Sequence, residues 1–174
     1  FAARVIASTL SDMYGAFVGG ISSLKGPLHG GANEAAIHMI LDIKDKGGSK
    51  VAERYILDKL KNKERIMGFG HRVYMKKYDP RALFLKDYIS DLESNIENGE
   101  ELHNIYKIVE DVMAREKGLY PNTDYPIALL FYMLGIPIPL YTPIFFASRT
   151  AGLVAHVIEQ HNNNRLFRPR VLYT

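Results

Sequence analysis

The chain has 174 residues, 47% hydrophobic and 24% charged, ordinary proportions for a globular protein with one sizeable core or two small ones. It contains no cysteine, which excludes disulfides, thiolate metal sites and cysteine nucleophiles. Its formal net charge of +3 is only mildly basic and leaves nucleic acid, phosphorylated cofactors and di- or tricarboxylates open as partners.

The periodicity is helical almost throughout, so an all-α chain is expected. Phe1 is not a methionine, and Phe1 to Ala7 already reads as the middle of an amphipathic helix running to about residue 23. Neither a signal peptide nor a transit peptide is visible, and the chain is expected to continue something longer. A second helix is expected near 31–46. Val51, Tyr55, Ile56 and Leu60 mark a shorter one after the Gly47-Gly48-Ser49 break. Asp79 as N-cap and Pro80 at the first helical position open the next, with Tyr88, Ile89, Leu92 and Ile96 as its stripe. Leu102, Ile105, Tyr106, Val109, Val112 and Met113 recur at three- and four-residue steps in a helix that Gly118 terminates. Helices near 124–134 and 144–161 complete the set. The richest apolar stretch, Ile127 to Phe146, is broken by Gly135, Pro137, Pro139 and Pro143, so no membrane span is expected. No alternating run is long enough for a sheet, and no internal repeat is present.

Polar clusters accompany three of the breaks. In Lys25-Gly26-Pro27-Leu28-His29-Gly30-Gly31-Ala32-Asn33-Glu34, His29 falls just before a helix N-terminus, where free N–H groups and the dipole disfavour an imidazolium. A neutral histidine there can donate a hydrogen bond to a carbonyl oxygen and stabilise an enolate; it can equally be a histidine packed at a helix end. In Gly68-Phe69-Gly70-His71-Arg72-Val73-Tyr74, the glycines permit close backbone approach to a ligand and His71 is a candidate acid or base. Arg81, in the first turn after Asp79-Pro80, suits bidentate pairing with a carboxylate. The bland alternative is a tight turn beside a solvated face of Arg72, Lys76 and Lys77. A dinucleotide-binding loop is excluded, because the third glycine and the preceding strand are missing.

In Tyr120-Pro121-Asn122-Thr123-Asp124-Tyr125-Pro126, Asp124 is either a plain N-cap or a carboxylate base facing an apolar pocket. Asn122 or Thr123 could supply the cap instead. Further on, Arg149 lies among small residues of an apolar helix, a costly position unless it is paired. Arg165, Arg168 and Arg170 form a basic end that reads as anion clamps or as a solvated tail able to bind nucleic acid non-specifically.

Together, Gly-Pro-Leu-His-Gly-Gly-Ala-Asn-Glu, Gly-Phe-Gly-His-Arg-Val-Tyr with Asp-Pro-Arg, Pro-Asn-x-Asp, Arg-Thr-Ala-Gly and Arg-Pro-Arg resemble the citrate synthase family, in its order and over essentially the whole chain. The likeness is to the shorter bacterial and archaeal type more than to the mitochondrial one. It implies condensation of acetyl-CoA with oxaloacetate to give citrate and coenzyme A. Asp124 would take a proton from the acetyl methyl, His29 would hold the thioester oxygen, and His71 would protonate the new alkoxide. Arg81 and Arg149 would grip substrate carboxylates, and Arg168 would reach the partner subunit's site in a homodimer. Met67, Gly68, Phe69 and Gly70 would contact coenzyme A through their backbone, with Lys76 or Lys77 meeting its phosphates. No metal and no permanently bound cofactor is implied, the coenzyme A thioester being a substrate; neither a nucleic acid nor a membrane partner is expected, and the location is expected to be cytoplasmic.

The resemblance also implies two helical domains that close over substrate, with 30–133 in the small one and 1–29 and 134–174 in the large one. The family's other oxaloacetate-binding histidine would precede Phe1, and His38, His103, His156 and His161 are read as surface or packing residues, so the chain alone is expected to be a poor enzyme or none. Tyr125-Pro126-Ile127-Ala128 stands where many relatives carry Phe-Tyr-Ser-Gly, which alters the expected pocket shape. Alternative readings are a 2-methylcitrate synthase using propionyl-CoA, a basic helical module for nucleic acid, and a non-catalytic dimer.

Overall fold

The structure, a computed structural model, describes residues 1–26, 29–74 and 77–169. It is all-α. The helices are α1 (Ala2–Ala7), α2 (Met13–Lys25), α3 (Ala32–Asp45), α4 (Ser49–Lys61), α5 (Pro80–Leu92), α6 (Gly99–Lys117), α7 (Asp124–Met133) and α8 (Tyr141–Asn162), with 3-10 turns at Glu93–Asn95 and Ile138–Leu140. Among the described residues the backbone pairs as β-structure only in an isolated bridge between Phe69 and Pro121. No described helix is long and apolar enough to cross a membrane.

The chain divides into two compact units, one of Phe1–Gly30 with Thr142–Thr174 and the other of Gly31–Tyr141. The larger is built on the stripes visible in the sequence. Ile37, Ile40 and Ile43 of α3, Ile56 of α4, Ile89 of α5, Leu102, Ile105, Tyr106 and Val109 of α6, and Tyr125 and Leu129 of α7 are fully buried in one cluster. Each such side chain contributes roughly 1.5–3 kcal/mol by leaving water. In this unit α4 packs on α6, while α7 packs on both α3 and α5. Gly118 ends α6 in the left-handed conformation, φ +60°, donating to the Ala114 carbonyl at 3.0 Å while Leu119 N–H reaches back to Met113 at 3.3 Å.

In the smaller unit Ala3, Ala7, Ala16 and Val157 form the buried core, with Ile6, Met13 and Leu153 packed on it. Arg4 fixes α1 to α8 by an ion pair to Glu159 at 2.6 Å and a hydrogen bond to Gln160 at 3.2 Å. The segment after α8 is tied back as far as Phe167, with Arg165 and Arg168 exposed and Arg170 outside the described residues. Asn164 Nδ2 donates to the Ser8 carbonyl at 3.0 Å, Phe167 N–H donates to Ser8 Oγ at 3.1 Å, and the Phe167 ring stacks on Phe1.

The structure differs from the sequence expectation at three helix boundaries. The helix expected to reach residue 23 is two, α1 and α2. Leu10 turns to φ +65°, and the Asp12 carboxylate starts α2 by accepting from Gly15 N–H at 2.8 Å. Ile96 lies beyond α5, extended at φ −128°, because the 3-10 turn at Glu93–Asn95 tightens the helix end. Helix α8 starts at Tyr141 rather than near 144; Pro143 falls in its first turn, where a missing N–H leaves no helical bond unmade.

Leu129 is fully buried and Leu134, just past the end of the same helix, is 54% exposed. Leu129→Ala should lower unfolding free energy by about 2–5 kcal/mol and Leu134→Ala by no more than about 0.5 kcal/mol, measured by urea denaturation. Equal losses would mean that α7 is not anchored through its inner face.

Candidate functional site

In the Gly31–Tyr141 unit, two loops distant in sequence are laced together. Gly70 N–H donates to the Tyr120 carbonyl and Asn122 N–H to the Gly68 carbonyl, both at 2.9 Å, around the Phe69–Pro121 bridge. Asn122 Nδ2 adds a bond to the Gly70 carbonyl at 2.9 Å. The glycines expected to admit a ligand also serve the fold. Gly68 has φ +88°, and a Cβ there would lie 2.8 Å from Tyr125 Cβ. The Phe69 ring sits 4.5 Å from that of Tyr125, whose other contact is a stacked Tyr106 ring at 4.5 Å.

Asp124 is the first residue of α7 and half-buried, and it is not the cap. Asn122 Oδ1 accepts from Asp124 N–H at 2.9 Å, so the local side-chain-to-backbone bond is made two residues earlier. Thr123 sits at the N-cap position with no side-chain cap bond and instead donates its hydroxyl to Asp79 Oδ2 at 3.0 Å.

Asp79 connects this segment to Arg81. Its side chain is fully buried and accepts from Arg81 Nε at 3.0 Å, Arg81 Nη2 at 2.7 Å and Arg81 N–H at 3.0 Å. Burial opposes its ionisation, but the bonds from the Arg81 side chain, the Arg81 backbone and Thr123 prevail and hold the carboxyl below the usual carboxylate range. Arg81 is pushed the other way, chiefly by its bond to Asp79 and against its own burial, with the charge of Asp124 adding to the effect. The Arg81 side chain is 49% exposed, and among the described residues its Nη1 makes no hydrogen bond, so the guanidinium is oriented through Nε and Nη2.

His71 follows the glycine loop and is half-buried. Its Nδ1 accepts from Val73 N–H at 3.1 Å and its ring lies 4.8 Å from that of Tyr74. With Nδ1 an acceptor, the neutral ring carries its hydrogen on Nε2. Met67 is half-buried and Lys77 exposed; Lys76 lies outside the described residues.

The remaining candidates belong to the other unit. His29 is exposed in the turn that ends α2; its N–H donates to Gly26 at 2.9 Å, and Gly30 N–H donates to Leu24 at 2.8 Å. A Cβ on Gly30 would lie 2.2 Å from the Leu24 carbonyl oxygen, so this turn closes only around glycine. The Gly30 carbonyl accepts from Thr142 Oγ1 at 2.8 Å. Arg149 is exposed on α8 with its guanidinium 5.0 Å from the Phe145 ring centroid, so the burial that would demand an ion partner does not arise. Arg168 is exposed beyond the end of α8.

The sequence profile of the citrate synthase C-terminal domain matches residues 1–170. The chain belongs to the citrate synthase family. It is 59% identical, over its full length, to 46% of a citrate synthase from Heyndrickxia coagulans. It is also 59% identical, over 99% of its length, to 45% of the citrate/2-methylcitrate synthase of Bacillus subtilis strain 168. Among solved structures, the citrate synthase of the archaeon Thermoplasma acidophilum, a ternary complex with carboxymethyl coenzyme A and oxaloacetate, matches with a TM-score of 0.90 and 40% identity, covering 99% of this chain and 46% of that one. The chain thus spans just under half the length of these citrate synthase relatives.

Within this chain, Asp79 is the residue that sequence reasoning undervalued. It was legible as the N-cap of α5, and it does start that helix by accepting from Arg81 N–H. The available signal was the arginine two residues on, close enough to share the same carboxylate. Glu110 was missed altogether, because a lone glutamate in a helix with Asp111, Arg115 and Glu116 reads as solvated. The other histidines fall as read. His103 is buried against Glu93, while His38, His156 and His161 are exposed.

Because the native carboxyl of Asp79 lies below its ordinary value, its ionised form stabilises the fold above a pH of about 4. That contribution is lost as pH falls through the depressed value. Asp79→Asn should therefore lower stability at neutral pH and flatten the acid limb below about pH 4, read by urea denaturation across that range. An unchanged acid limb would show that the carboxylate carries no such load.

Proposed function

We propose that the protein to which this chain belongs condenses an acyl-CoA thioester with oxaloacetate, acetyl-CoA being the preferred donor, and releases citrate and coenzyme A. The observation that supports this most directly is the shared Asp79 carboxylate. It ties Arg81, a carboxylate-binding side chain, to Thr123, the neighbour of Asp124, while the Asn122–Gly70 lacing brings the His71 loop to the same scaffold.

Asp124 takes a proton from the methyl carbon of the thioester, leaving its electron pair to form the enol or enolate. His29 hydrogen-bonds the thioester oxygen as charge develops there. The nucleophilic carbon then attacks the ketone carbon of oxaloacetate, whose carbonyl oxygen becomes an alkoxide. His71 Nε2–H donates to that oxygen, the tautomer fixed by Val73 N–H at Nδ1. Water hydrolyses the citryl thioester, breaking the carbon–sulfur bond and giving citrate and the coenzyme A thiol. Arg81 offers Nη1 to a substrate carboxylate while Asp79 holds its other edge, and Arg149 offers a second guanidinium. Arg168 serves the site of the partner subunit in a homodimer. The backbone of Met67 to Gly70 contacts coenzyme A, and Lys76 or Lys77 meets its phosphates. In this reading Gly31–Tyr141 is the small domain and the other unit is part of the large one. A thiol product suits a reducing interior, and the location proposed is the cytoplasm.

Propionyl-CoA is the second donor to consider, since the Bacillus subtilis relative is a citrate/2-methylcitrate synthase. One methylene in an apolar pocket is worth about 1–3 kcal/mol of discrimination. Steady-state rates of the full-length protein with oxaloacetate and each thioester should favour acetyl-CoA; a strong propionyl preference would reassign the donor. Asp124→Ala should reduce kcat at least about 100-fold with the circular dichroism spectrum and melting temperature close to those of the parent. Residual condensation near the parental rate would remove Asp124 from the mechanism.

A further inference from the structure

Tyr78 stands where three segments of the proposed site meet. Along the chain it immediately precedes Asp79 and so sets the backbone entering the Asp79–Arg81 step. Its ring packs on Tyr120 with centroids 4.5 Å apart, and the Tyr120 carbonyl is the acceptor for Gly70 N–H in the His71 loop. Its hydroxyl donates to Glu110 Oε1 on α6. Lys86 of α5 completes the cluster, donating to the same oxygen at 2.9 Å with its ammonium 5.5 Å from the Tyr78 ring centroid.

Stability gives a poor account of this cluster. Glu110 is 4% exposed, and among the described residues its buried Oε2 and the buried hydroxyl of Tyr106 have no hydrogen-bond partner. A half-satisfied buried carboxylate is commonly no better for stability than an apolar side chain of similar volume. What the carboxylate supplies is direction. Burial first, and then the bond and charge of Glu110, push the Tyr78 phenol upward, so it stays a neutral donor to Glu110 at ordinary pH. That bond holds the ring at its hydroxyl while Tyr120 packs against its face.

We propose that Tyr78, held by Glu110, is a positioning residue. It sets the Asp79–Arg81 step against the Tyr120 segment and so fixes the guanidinium that grips oxaloacetate relative to the His71 loop. The inference rests on the condensation reading of the site. It predicts that loss of the Tyr78–Glu110 bond weakens use of oxaloacetate while leaving the thioester nearly untouched, because the Met67–Gly70 backbone is held by its own bonds to Tyr120 and Asn122.

Glu110→Met, Glu110→Gln and Tyr78→Phe in the full-length protein test this. Glu110→Met removes the acceptor and leaves no charge at 110, but it strands the Tyr78 hydroxyl and the one-third-exposed Lys86 ammonium, so it should stay folded with a loss of stability. Its KM for oxaloacetate should rise about tenfold, with the KM for acetyl-CoA changed less than about twofold. Tyr78→Phe keeps the ring on Tyr120 and should show the same selective rise. Glu110→Gln retains an acceptor for the hydroxyl and should restore oxaloacetate KM to within about threefold of the parent. If parental KM and kcat persist in Glu110→Met and Tyr78→Phe, whatever the melting temperatures do, the cluster is structural only and the proposal falls. It falls also if Glu110→Gln is as impaired as Glu110→Met. A parent protein that condenses oxaloacetate with neither thioester would overturn the condensation reading itself, a result separable from the others because it appears before any substitution is made.

Discussion

The buried carboxylate of Asp79 is the constraint on which the Gly31–Tyr141 unit's share of the site depends. It takes two bonds from the Arg81 side chain and one from its backbone, and a fourth comes from Thr123, 44 residues further along the chain. A carboxylate removed from water is tolerable only when its oxygens are filled, and here they are filled by groups from two segments. Moving either segment leaves a buried charge short of partners, so the two move together. The half-exposed Arg81 side chain is anchored on its Asp79 side, which is compatible with the carboxylate-binding role proposed for it.

Helix α7 gives that constraint its direction. Tyr125 is fully buried between the Phe69 and Tyr106 rings, with its hydroxyl on the Tyr106 carbonyl at 3.1 Å. The residue before it, Asp124, therefore begins a helix whose first turn is packed from inside, capped by Asn122 and held at Thr123. A side chain on so fixed a turn has little freedom to lose on meeting a substrate, which is what orientation contributes to rate. The chain has tyrosine and proline after the aspartate, and the tyrosine ring fills the space beneath the glycine loop.

Much of this was legible in the residues alone. The stripes on α4 and α6 gave much of the core of the larger unit, since positions three and four apart must share a face whatever the tertiary context. Gly118 and the Asp79-Pro80 pair marked helix ends because each supplies a backbone conformation or a bond that few other residues can. The break between α1 and α2 was not legible, because it depends on Leu10 accepting a left-handed φ, for which leucine carries no signal. Arg149 was misread for a related reason. Neighbours along a helix do not report which face is outward, and only the packing shows this guanidinium exposed over Phe145.

The polar groups that fix the site share a form the sequence conceals. Asp79 meets Thr123, Glu110 meets Tyr78 and Lys86, and Asn122 meets Gly70; most of these partners lie 24 to 52 residues apart. Local patterning specifies helices because their bonds span four residues, but the loops between them have no such internal ladder. Their conformation must be imposed by long-range bonds from buried side chains, and each of these forfeits hydration to do it. This explains why Glu110 looks unremarkable in sequence and Asp79 shows only as a helix cap, while His71, Arg81 and Asp124 stand out beside glycine and proline. The motif shows where the backbone must turn, and the distant carboxylates decide which way.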